Sequence, residues 1–62
     1  MEPKVIQVVE ILINAYRQNP EDAKIAVDRA LTTDNAWRFQ DDRADELAMW
    51  IYFQPEFWRY FT

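Results

Sequence analysis

No glycine occurs anywhere in the 62 residues, and that absence narrows the fold more than any other feature. The two-residue turns that close antiparallel hairpins need positive φ, which pairs such as Asn-Gly supply, and none is present. The three prolines stand where helices can begin. Pro3, Pro20 and Pro55 each suit the first helical position, whose N–H has no intrahelical partner in any case.

Periodicity agrees. Advancing 100° per residue from Pro3 to Gln18 gathers Val5, Ile6, Val8, Val9, Ile11, Leu12, Ile13, Ala15 and Tyr16 on one arc. Gln7, Glu10, Asn14, Arg17 and Gln18 gather on the other, as an amphipathic helix requires. The apolar arc spans about 220°, whereas a surface helix needs only about 100°. This helix is therefore expected to be central to the fold or shared with a second copy. Ile6, Val9 and Ile13 are the expected contacts of a homodimer.

Asn19-Pro20-Glu21-Asp22 reads as a helix start, with Asn as N-cap, Pro next and acids in the first turn. The second helix is expected to run to about Leu31, with a largely alanine face formed by Ala23, Ala26, Val27, Ala30 and Leu31. Its outward side is expected to carry Glu21, Ile25, Asp28 and Arg29. The short connection predicts an antiparallel helical hairpin.

Thr32-Thr33-Asp34-Asn35 breaks the pattern, and Thr33 or Asp34 is expected to cap a short helical turn carrying Trp37, Arg38 and Phe39. A third helix is expected to open at Asp41 and run to about Gln54, with Ala44, Leu47, Ala48 and Ile51 as its core stripe. From Leu47 onward it is apolar on every side. Such a helix is buried all round or has a second face that meets something. Pro55 ends it, and the residues to Thr62 are expected to add a last turn or two. Ala48–Thr62 holds seven of the ten aromatics. The expected architecture is thus all-α, a single domain of three to four short helices: an N-terminal hairpin followed by aromatic-rich C-terminal helices.

Composition removes several chemistries. With no Cys and no His there is no disulfide, no thiolate metal site and no imidazole base. No Ser is present, and the hydroxyls of Thr32, Thr33, Thr62 and the tyrosines have no His to activate them. Asp41-Asp42-x-x-Asp45 has the spacing with which some prenyl-diphosphate enzymes hold magnesium. Those enzymes need a deep helical cavity, which a chain this short cannot enclose. No catalytic residue, metal or cofactor is expected. Asp41, Asp42, Asp45 and Glu46 read instead as acids at a helix start, where the dipole offsets their mutual repulsion, or as an acidic rim for a basic partner.

The net charge of −4 repels phosphate backbones and argues against nucleic acid. No run approaches the roughly 20 apolar residues of a membrane span, and the absence of cysteine is compatible with the cytoplasm. Aromatics, Met and Arg are what interface cores favour. The expected function is therefore a non-catalytic protein-protein interaction module, or a small regulatory or assembly protein. Its expected partner surface is Met49, Trp50, Phe53, Trp58, Arg59 and Tyr60. Two arrangements of that surface are open: the terminal segment folds back over Met49 and Phe53, or it stays extended and forms a groove with them. The alternative is a small helix-turn-helix-like nucleic-acid binder, with the second helix reading DNA.

Overall fold

A computed structural model describes residues 2–61 as helices joined by short links. Three helices have nine or more residues: α1 (Pro3–Asn14), α2 (Pro20–Leu31) and α4 (Ala44–Tyr52). Two are single turns, α3 (Arg38–Asp41) and α5 (Pro55–Trp58), and a 3-10 turn, Arg59–Phe61, follows α5. The all-α bundle anticipated from the missing glycines and placed prolines is what forms, and each proline opens a helix.

The central element is α1, against which both α4 and α2 pack. Val5, Val8, Val9 and Leu12 are buried, with Ile11, Ile13 and Tyr16 packed at the edge of the core. The width of its apolar arc is thus met within the chain, because two helices cover two sides of it. Ile6 remains exposed, Ile13 is half-buried, and Val9 belongs to the core.

The first helix ends at Asn14, four residues before the expected Gln18. Arg17 adopts the left-handed conformation, φ 59°, and the Gln18 N–H reaches back 3.0 Å to the Leu12 carbonyl. The reversal satisfies a last-turn acceptor that the helix itself leaves open. It also frees Tyr16 to stack on Tyr52, with ring centroids 4.6 Å apart.

The second helix begins where expected. The Asn19 side-chain oxygen accepts from the Glu21 N–H at 2.9 Å and the Asp22 N–H at 3.4 Å. Ala23, Ala26 and Ala30 are fully buried, and their small side chains let the helices approach closely. Val5 and Val9 near the start of α1 share a hollow with Val27 and Leu31 near the end of α2, so the hairpin is antiparallel.

In the link to α3 the Thr33 hydroxyl donates to the Ala30 carbonyl at 2.8 Å and accepts from the Asn35 N–H at 3.3 Å. Thr33 therefore shapes the turn, while Trp37 occupies the cap position of α3 without a side-chain bond. The expectation of one helix opening at Asp41 is corrected. Asp41 ends α3, Asp42 and Arg43 are extended, and α4 starts at Ala44. Lys4 holds the break open, its ammonium donating to the Asp42 carbonyl at 2.9 Å. That contact ties the link to the first turn of α1. Leu47, Ala48 and Ile51 are fully buried, and α4 stops at Tyr52 rather than Gln54.

Candidate partner-binding surface

The nine residues of α4 and its C-terminal cap residue Phe53 carry more apolar side chains than one core face takes. Leu47, Ala48 and Ile51 enter the core. Trp50 leans on Phe57, edge to face at 5.4 Å, and Tyr52 leans on Tyr16. Met49 and Phe53 are left over. They are 51% and 67% exposed and sit four residues apart, about 6 Å along the helix axis.

These two side chains line a shallow groove of about 620 Å³ with Arg38, Trp50 and Gln54, bordered by Asp42 and Glu46. Arg38 forms its wall. The guanidinium lies 4.8 Å from the centre of the Trp50 ring and 5.2 Å from that of Trp37. Its Nη1 donates to Asp42 Oδ2 at 3.2 Å, and its buried Nε has no hydrogen-bond partner. Stacking on two indoles with one charged bond fixes a long side chain that would otherwise be mobile. Trp37 is 51% exposed and flanks the same arginine. It was not among the expected site residues, and its adjacency to Arg38 in the sequence was the available signal.

The rest of the expected surface is placed elsewhere. The terminal segment neither covers Met49 and Phe53 nor stays extended beside them. It folds back onto α2. Phe57 is buried, and the Trp58 indole donates to the Ile51 carbonyl at 2.8 Å, an acceptor in the last turn of α4. Arg29 holds the segment from α2. It donates to the Phe57 carbonyl at 3.1 Å and stacks 4.2 Å from the Tyr60 ring centre and 5.2 Å from that of Phe61. Tyr60 is 69% exposed on its other side. With Arg59 it lines a separate hollow, shared with Arg29, Thr32 and Thr33. So Met49, Trp50 and Phe53 come together, Arg59 and Tyr60 form a second patch, and Trp58 fastens α5 to α4.

The four acids are not one cluster. Asp42 pairs with Arg38 across α3. Asp45 receives two bonds from Arg43, at 2.7 and 3.1 Å, and Glu46 Oε1 lies 4.0 Å from Arg43 Nε. The Arg43 hydrogen bond is the main cause holding the Asp45 carboxyl below the usual carboxylate range, and the same bond raises Arg43. Because the chain breaks at Asp42, no single helix presents Asp41, Asp42 and Asp45 together. Among the described residues no three carboxylates converge as a metal site.

The outward face of α2 also differs from expectation. Arg29 is turned under the C-terminal segment, leaving Lys24 among Glu21, Ile25 and Asp28. That face carries no surplus of positive charge for a phosphate backbone. Among the described residues no helix is long and apolar enough to cross a membrane. No family model matches the chain, and searches of curated proteins and of solved structures return no match.

Proposed function

We propose that this is a non-catalytic interaction module that binds another protein through the α4 groove, with Met49 and Phe53 as its anchors. The observation that carries the reading is their paired exposure, 51% and 67%, beside a core that buries the remaining large apolar side chains of α4, Leu47, Trp50, Ile51 and Tyr52, at least in part. Met suits such a surface because its unbranched thioether adapts to different partners. Arg38 between two tryptophans supplies the aromatic and guanidinium content typical of interface hot spots. Tyr60 and Arg59 are a secondary patch in this reading. Self-association through α1 retains only Ile6 as an exposed anchor and is less well supported. A site of action in the cytoplasm is part of this reading, compatible with a chain that has no cysteine.

The test compares the wild type with Phe53→Glu and with Ile25→Glu, a control on an exposed apolar residue of α2. A protein retained by the wild type and the control, but lost by Phe53→Glu at unchanged thermal stability, supports the groove. Equal retention by all three, or loss that only follows unfolding, refutes it.

A further inference from the structure

We infer that the occupant of the α4 groove is a basic amphipathic helix of another protein, an inference that rests on the reading just given. Three observations fix its chemistry. First, no strand occurs among the described residues, so no sheet edge is offered and an extended peptide has nothing to pair with. The recognition mode left to an exposed helix with a trough along it is helix against groove, read through apolar anchors one turn apart. Met49 and Phe53 have that spacing.

Second, the charge is one-sided. Asp41, Asp42, Asp45 and Glu46 stand around the N-terminal end of α4 against Arg38, Arg43 and the Lys4 ammonium on the Asp42 carbonyl, so four carboxylates face three cations and one negative charge remains. Asp42 and Glu46 border the groove itself. A partner with lysines or arginines beside its apolar stripe is drawn toward that end. Basic side chains also favour the last turn of a helix, so the occupant runs antiparallel to α4, its C-terminal turn above Asp42 and Glu46.

Third, a second copy is a poor occupant. The whole chain carries −4, so two copies meet with like charge, and like charges placed together across an interface disfavour it.

The probes are two synthetic helical peptides with the same leucine stripe at i, i+4 and i+7. One is flanked by lysines, and its twin has glutamate at every lysine position. Each is titrated into the full-length, isotope-labelled protein and followed by amide and indole NMR shifts and by calorimetry. The lysine peptide is expected to move Met49, Trp50 and Phe53. It should bind at least about tenfold tighter than its twin, and the preference should collapse at about 0.5 M salt as screening shortens the reach of the charges. The double variant Asp41→Lys, Glu46→Lys should erase the preference. If both peptides move the groove equally, or the twin binds tighter, the charge inference fails while the groove remains a protein-binding site. If self-association through the groove displaces both peptides, the occupant is a second copy and the inference is overturned. If neither peptide moves the groove, or the shifts fall only on the Val5, Val9 and Val27 hollow, the inference and the proposed function both fail.

Discussion

Replacing Phe53 with Ala and Phe57 with Leu separates surface from core on one short stretch. Phe53 is 67% exposed, so one third of its area is covered. Taking about 200 Å² for the side chain, roughly 65 Å² is buried, which at ~25 cal/mol per Å² corresponds to about 1.6 kcal/mol. Alanine keeps part of that contact, and an extended reference chain overstates burial, so about 1 kcal/mol is expected for Phe53→Ala. Phe57 is 2% exposed and meets Trp50 edge to face. Full truncation there would cost about 3–5 kcal/mol, comparable to the whole stability of a domain this size, roughly 3–9 kcal/mol at 0.05–0.15 kcal/mol per residue. Leucine keeps most of the volume, so Phe57→Leu is the usable variant, at about 1–3 kcal/mol with the shape mismatch included. Urea unfolding followed by far-UV circular dichroism gives both numbers. Phe53→Ala costing about 3 kcal/mol or more, the range of a fully buried truncation, would place Phe53 in the core, and the groove would lose its anchor.

Arg17→Gly should stabilise by about 1 kcal/mol, since glycine removes the left-handed penalty. Arg17→Ala keeps the Cβ and should show no such gain; equal melting temperatures for the two variants would refute strain at φ 59°. Asn19→Ala removes the acceptor for Glu21 and Asp22 and should cost about 1 kcal/mol in a thermal melt. Trp58→Phe removes the indole bond to the Ile51 carbonyl, which keeps the Gln54 N–H at 3.1 Å, and should cost about 1 kcal/mol, with faster hydrogen exchange confined to the C-terminal turns if the bond is a local fastener. The Asp45 carboxyl is held low by Arg43, so its contribution is present above the ordinary carboxylate value and is lost as pH falls through the depressed one. In an acid titration Asp45→Asn should narrow the stability gap to wild type only in that range. High salt should shrink the effect, because the pair is exposed and screened.

Most of the fold was legible because its signals are local. Asn19-Pro20 announces α2 from four adjacent residues, and the alanines of α2 repeat at the helical period, so the close-packed face follows without knowledge of its partner. What was not legible depends on contacts distant in sequence. The extended Asp42-Arg43 step is fastened by Lys4, 38 residues away. Local propensity alone ran the acids into one helix and so suggested a single carboxylate cluster. The end of α1 carries no glycine to mark it; an arginine takes the left-handed position there, and its sequence neighbours look helical. The helical period alone makes Arg29 an outward charge, because its partners, the Phe57 carbonyl and the Tyr60 and Phe61 rings, arrive from 28 or more residues downstream.

That last contact also explains why the groove is open. Phe57, Trp58 and Phe61 have enough apolar surface to cover Met49 and Phe53, and Pro55 permits the turn that would bring them over. Two bonds send the segment the other way: Arg29 captures the Phe57 carbonyl against α2, and the Trp58 indole takes the Ile51 carbonyl on α4. Phe57 then fills the space beside Trp50 from within, and Met49 and Phe53 are left half and two-thirds exposed. The exposed pair is therefore not an unused remainder of an apolar helix. It follows from where α5 is docked, and a charged hydrogen bond with aromatic stacking on α2 sets how much of α4 remains exposed.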